Sequence, residues 1–344
     1  MQFAPSCATI IVDPRPLRDG PWRGLGPLAA WVWGRLHIEG RSLVVVSVQQ
    51  FFAWAGGPTV SILGLGLRTL VGLACSAAVG WAGYRRQSLS ESGLLGAILV
   101  GTLIFGLGGW VWGLLLIAFF AGSSALTHYA SARKEPAADH FAKTGRRDLA
   151  QALANGGLGA ALAVANAATG GRQPVLFFAF VGAMAAVNAD TWATELGILS
   201  ADAPRLITTG ETVERGTSGA ISPLGTLAGA AGAWAIGFAG LALQLLQTRL
   251  SGAPWSPRLG WLPLLAASGG MAGALCDSLL GATVQATYYC MHCGKETEQA
   301  IHRCGRQPIH IRGWHWLDND WVNFLASLIG ALVAAGLGAL AFYI

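Results

Sequence analysis

Two acids, Asp190 and Glu195, sit five residues apart at the end of an otherwise apolar stretch. A carboxylate in the middle of a membrane helix costs about 2.5–3.5 kcal/mol on insertion scales, so such acids usually bind cations or carry protons. At about 100° per residue, Asn188, Asp190, Thr191, Thr194 and Glu195 fall within about 160° of arc, opposite Ala189, Trp192, Ala193 and Leu196. The spacing points to a metal or proton site. The bland alternative is a helix end already in the headgroup zone.

Further polar residues recur at helical spacing. Asp277, Gly281 and Gln285 step by four and form one ridge, in which the glycine permits close approach of another backbone or a ligand. A single acid satisfied by a neighbouring hydroxyl is the simpler reading. Asn319, Asn323 and Ser327 repeat the step of four beside Asp318 and Asp320. Helix capping explains Asp and Asn at a helix start, but not Asn323 or Ser327. Gln151 and Asn155 lie one turn apart, suited to a site or to helix–helix hydrogen bonds. Arg215, Gly216, Thr217, Ser218 and Gly219 precede a helix. Glycine-rich backbone leading into a helix N-terminus makes an anion site, because free N–H groups point outward and the dipole favours negative charge. A plain connector has the same composition. Cys290, Cys293, His302 and Cys304 offer four soft ligands within 15 residues, which suits a closed, structural tetrahedral Zn²⁺. A redox pair and a metal-free loop are the alternatives.

The elements that must position these residues are membrane helices. The chain is 53% hydrophobic and only 11% charged, too few charges to cover a soluble surface of this size. Apolar stretches of about 20 residues recur, and 48 glycines suit close helix packing. The expected fold is all-α, a polytopic bundle of about eight spans within a range of seven to nine. The spans fall near 60–84, 92–108, 109–128, 149–169, 174–199, 219–247, 260–288 and 321–343. The stretch 43–55, with Gln49 and Gln50, is interfacial or a ninth span. Residues 1–58 read as a poorly defined extension, and 59–344 as the helical domain with a Cys/His loop at 289–317. Thirteen Lys and Arg, Lys134, Lys143 and Arg147 among them, fall on one side of these spans, against three on the other. The positive-inside rule makes the richer side cytoplasmic, or stromal or matrix in an organelle. The net charge of +5 therefore has a topological cause and does not call for nucleic acid.

Eight segments appear in order: 89–93, 108–110, 119–124, 147–156, 189–197, 216–219, 277–285 and 317–323. Together they resemble the membrane protein family that contains plant phytyl-phosphate kinase and animal transmembrane protein 19. The resemblance covers about 85–343 and implies phosphorylation of an isoprenyl monophosphate to the diphosphate. A fainter likeness, carried by Asp190, Ala193 and Gly197, is to CTP-dependent membrane cytidylyltransferases and polyprenol kinases, which use carboxylate-held Mg²⁺ and a nucleotide triphosphate.

The resulting expectation is a membrane-embedded isoprenyl phosphate kinase using ATP or CTP. Asp190 and Asp277 hold Mg²⁺, with Glu195 and Asp320 supporting them or acting as base. Arg215 and residues 216–219 cradle nucleotide phosphates. Asn155, Asn319 and Asn323 orient substrate or metal-bound water, and Gln151 and Gln285 join the binding set. The alternatives are a cytidylyltransferase acting on a lipid phosphate and an ion-coupled transporter. The expected setting is a bacterial-type plasma membrane, with a chloroplast membrane as the alternative. The partners are the bilayer and the isoprenoid phosphate, and the oligomeric state stays open.

Overall fold

The computed structural model describes residues 35–38, 41–44, 62–134, 140 and 145–343. Most of the expected extension, Gln49, Gln50 and Lys143 lie outside these residues. Within that extension, β1 (Arg35–Ile38) and β2 (Arg41–Val44) pair as an antiparallel hairpin.

The helical part runs through α1 (Ile62–Arg85), α2 (Glu91–Leu103), α3 (Trp110–His128), the short α4 (Ser131–Lys134) and α5 (Leu149–Ala168). It continues through α6 (Pro174–Gly197), α7 (Pro223–Ser251), α8 (Leu262–Thr283) and α9 (Asn319–Tyr343). Among the described residues, seven helices are long and apolar enough to cross a bilayer. An eighth span was expected over 149–169. A 20-residue helix does form there, but it is not one of the seven. Gln151, Asn155 and Asn166 dilute its apolar character. The adjoining expected spans 92–108 and 109–128 form a helical hairpin: α2 runs on through a π turn, Ile104–Gly108, and Gly109 at φ 98° starts α3. Arg68 of α1 is buried and donates to the carbonyls of Gly106 (2.7 Å) and Leu107 (3.2 Å). Those carbonyls lie where the helix ladder ends, so an arginine inside a span has a structural use.

The core is built around α6. Every residue from Phe177 to Ala189 is buried, because α7, α8 and α9 pack against it along its length. Lipid tails are as apolar as leucine, so helices associate through close packing of small residues. At the tightest point Gly182, Gly269 and Gly330 meet. A Cβ on Gly269 would lie 2.5 Å from the Gly330 carbonyl oxygen, and one on Gly330 would lie 2.7 Å from that of Gly182. Asn188 adds a polar tie, donating from Nδ2 to the Gly232 carbonyl at 2.8 Å. It therefore belongs to the α6–α7 contact and not to the acidic face.

Two belts of tryptophan mark the bilayer edges, as expected for rings with one apolar and one wet side. Trp314, Trp316 and Trp321 are exposed at the start of α9, and Trp255 and Trp261 are exposed between α7 and α8. The region read as a Cys/His loop is a small sheet. β5 (Thr287–Cys290) is central and pairs antiparallel with β6 (Lys295–Thr297) and β7 (Ile309–Arg312). A two-residue pair, β3 (Arg205–Leu206) with β4 (Ala220–Ile221), closes the loop before α7.

Gly330→Leu is expected to destabilise the bundle by about 3 kcal/mol through overpacking. Gly336→Leu, where an added Cβ meets nothing within 4 Å, is expected to be neutral. Thermal unfolding in detergent reads both, and equal midpoints would contradict the packing assigned to Gly330.

Candidate functional site at the charged end of the bundle

A cavity of about 580 Å³ lies at one end of the bundle, within the range of small-molecule sites. It gathers the C-terminal ends of α3, α6 and α8 and the N-terminal ends of α5, α7 and α9. An up-and-down bundle brings alternate helix ends together in this way. Asp190 marks where α6 leaves the core: residues before it are fully buried, and residues after it are half-exposed towards the cavity.

Most of the expected residues meet here. Asp190, Glu195, Asp277, Gln151, Asn155, Arg215, Gly216, Thr217, Ser218, Gly219, Gln285, Asn319 and Asn323 all line this one cavity. Asp320 does not. Asn319 and Asn323 share a helix face, whereas Asp320 is turned about 100° from Asn319.

The site is charged in both senses. Asp190, Glu195, Asp277 and Glu298 are the carboxylates on its wall, and Lys134, Arg146, Arg147, Arg215 and Arg303 are the cations. Asp277 lies within electrostatic reach of both Asp190 and Glu298. Its Oδ2 is buried and has no hydrogen-bond partner among the described residues. Hard oxygen ligands of this kind, clustered and not fully satisfied by the protein, fit Mg²⁺.

Several polar side chains are already committed. Glu195 accepts from Thr127 Oγ1 and from Lys134 Nζ, each at 2.6 Å. Gln151 forms a capping box with Asp148 at the start of α5, so part of its polarity serves the helix end. Gln285 lies just past the end of α8. It accepts from Ser218 Oγ (3.1 Å) and donates to Glu298 Oε1 (2.8 Å), tying the glycine loop to the sheet. Arg215 donates to the carbonyls of Ser200 (2.7 Å) and Ala201 (3.2 Å), bracing that loop from behind. Gly219, at φ 80°, packs directly on the backbone of Ala282, where no side chain fits. The loop's glycines are thus needed for its path as well as for any phosphate it holds.

Glu298, Lys134, Arg146, Arg147 and Arg303 were not expected in the site. Lys134, Arg146, Arg147 and Arg303 counted only as loop charges, and Glu298 had no helical spacing to single it out. Arg147 sits just before the N-cap of α5. Its backbone bonds to Ser88 and Ser90, and its guanidinium lies 5.6 and 5.8 Å from the ring centres of Phe119 and Phe120.

Cys290, Cys293, His302 and Cys304 form a separate cluster beside this cavity, all four ligand atoms lying within 4.8 Å of one another. Cys290 Sγ and Cys304 Sγ are 3.7 Å apart, and His302 Nδ1 is 3.2 Å from Cys304 Sγ. Tetrahedral zinc with bonds of about 2.3 Å separates sulfurs by about 3.8 Å. The backbone N–H groups of His292 and Cys293 hydrogen-bond to the Cys290 sulfur. Donor set and spacing therefore fit zinc. The cluster abuts the cavity through Arg303, which lies between two of its members.

Fold and site define an integral, multi-pass membrane protein with a carboxylate-lined cavity at one end of its helices. The chain belongs to the integral membrane protein family DUF92, whose model matches residues 74–331. It is 32% identical to Protein PGR of Arabidopsis thaliana over 280 residues, covering 78% of this chain and 95% of that one. It is 31% identical to an uncharacterized membrane protein of Methanocaldococcus jannaschii over 249 residues, 72% and 85% of the two chains. Protein VTE6, chloroplastic, of Arabidopsis thaliana is 27% identical over 249 residues, 72% and 64% of the two chains. No solved structure gives a significant match.

Proposed function

We propose that this protein is a membrane-embedded kinase that converts an isoprenyl monophosphate to the diphosphate with a Mg²⁺-bound nucleotide triphosphate, ATP or CTP. One observation carries the reading: Asp190, Asp277 and Glu298 share a cavity with the Gly216–Gly219 loop and five cationic side chains. A cavity for a metal ion alone would not need those cations, and one for an anion alone would not need the carboxylates. The family resemblance in the ordered motifs supports the substrate class. The positive-inside count supports a cytoplasmic or stromal opening for the cavity, a compartment where nucleotides are abundant.

Phosphoryl transfer requires positioning and charge neutralisation more than covalent chemistry. Asp190 and Asp277 would hold Mg²⁺, which would supply charge neutralisation for the nucleotide phosphates. The loop from Arg215 to Gly219 would seat the triphosphate, and Asn155, Asn319 and Asn323 would orient the acceptor. An oxygen of the lipid monophosphate forms the new bond to the γ-phosphorus, the β–γ bridge bond breaks, and a nucleoside diphosphate leaves. A phosphate monoester has its second pKa near about 6, so the attacking oxygen is already anionic at neutral pH. The reaction then needs no carboxylate base. This agrees with Glu195 being committed to Lys134 and with Asp320 lying off the cavity wall. We assign Cys290, Cys293, His302 and Cys304 to one structural Zn²⁺, which would hold the sheet and, through it, Arg303 and Glu298.

Purified protein is expected to make prenyl diphosphate and release a nucleoside diphosphate; release of pyrophosphate would mean nucleotidyl transfer instead. Asp190→Asn and Asp277→Asn should each lower the rate by about 10²- to 10³-fold or more, a loss typical of removing electrostatic support from a transition state. Asp320→Asn should stay close to wild type. Equal activity of the Asp190→Asn variant and the wild type would sink the assignment. Metal analysis of the same preparation should find one zinc per chain, lost in Cys293→Ser; a chain free of zinc would remove the structural metal.

A further inference from the structure

A second, apolar cavity of about 80 Å³ lies between α1, α2, α3 and α5. Cys75, Val79, Ala97, Val100, Leu116 and Phe120 are among its walls. It shares three residues with the charged cavity: Arg147, Gln151 and Asn155. The two spaces therefore meet at one mouth, apolar on one side and charged on the other. Arg147 stands at that mouth. Its Nη1 is buried and has no hydrogen-bond partner among the described residues, and its guanidinium rests on the rings of Phe119 and Phe120. Glu195, the acid whose charge reaches Arg147, is already bonded to Lys134 and Thr127.

We propose that this apolar groove seats the phosphate-proximal carbons of an isoprenoid monophosphate, with Arg147 gripping its phosphate at the mouth. A buried guanidinium N–H lacking an acceptor is costly, and a phosphate oxygen supplies the acceptor in the geometry a guanidinium favours. The apolar walls beyond it exclude the polar nucleotide, so the two substrates enter the shared mouth from opposite sides. The groove is too small for a long chain. Recognition thus falls on the first carbons after the phosphate and not on chain length. This assignment rests on the kinase reading for its substrate class, but its test does not require turnover.

Cys75 on the groove wall gives a direct readout. The full chain in detergent, without nucleotide, is treated with N-ethylmaleimide, and modification of Cys75 is followed by mass spectrometry. Cys276, which lines neither cavity, is the internal reference. Farnesyl monophosphate is expected to slow Cys75 modification relative to Cys276, whereas inorganic phosphate is not. Arg147→Gln should raise the protecting concentration by about tenfold or more, the loss expected for a charge-assisted hydrogen bond. Arg147→Lys keeps the charge and should retain most of the protection, which separates loss of the grip from loss of the fold. Unchanged Cys75 reactivity at saturating farnesyl monophosphate would overturn the proposal, as would equal protection in wild type and Arg147→Gln. Protection without phosphoryl transfer would leave the groove standing and remove the kinase. Transfer without protection would do the reverse.

Discussion

Close packing around α6 is the constraint on which the rest depends. The bilayer offers no hydrophobic gain for helix association, so the bundle holds only where backbones approach closely. Gly182, Gly269 and Gly330 allow α6, α8 and α9 to meet with no side chain between them. That contact fixes the depth at which Asp190 and Asp277 emerge, because each lies two turns along the same helix from its glycine. A rigid helical floor places two carboxylates more precisely than a loop would. The glycine loop and the small sheet then close over that floor, joined by the chain of hydrogen bonds from Ser218 through Gln285 to Glu298.

The electrostatics of the cavity follow from this arrangement. Carboxylates facing one another in a confined space repel, and the cost falls when a cation sits among them. The protein's own cations are spread around the rim. Lys134 neutralises Glu195, Arg215 braces backbone, and Arg147 lies against aromatic rings. None of these engagements supplies Asp277 Oδ2 with a partner. The wall thus divides into a carboxylate group suited to a hard divalent ion and a cationic rim suited to phosphates. The two substrates proposed here each carry phosphate, and one carries hydrocarbon as well.

The sequence carried the fold wherever length and apolarity sufficed. Six of the eight expected spans match membrane-length helices closely, and the break between those at 92–108 and 109–128 falls at Gly109. The expected span at 260–288 ends earlier, at Thr283, because the chain turns into β5. Gln285 consequently sits beyond the helix, and the ridge expected from Asp277 and Gly281 stops short of it, although its Oε1 still lies near Gly281. The helix-borne site residues were legible because an acid or amide inside an apolar helix stands out against its neighbours. Glu298, Lys134 and Arg303 were not, because a charge in a polar loop has no contrast and reaches the cavity only through long-range folding. Arg147 was the harder case. Its charge was counted for topology, and nothing in its spacing reveals that it lines two cavities at once. Asp320 shows the opposite error: its neighbour Asn319 faces the site, and one residue of helix turn carries Asp320 away.

The central claim is that Asp190 and Asp277 jointly hold a divalent ion in the cavity that also takes the nucleotide. Electron paramagnetic resonance with Mn²⁺ in place of Mg²⁺ tests it most directly. One tightly bound Mn²⁺ per chain is expected with nucleotide present, displaced by Mg²⁺ and lost in both Asp190→Asn and Asp277→Asn. Mn²⁺ binding that is unaffected by either substitution would contradict the account.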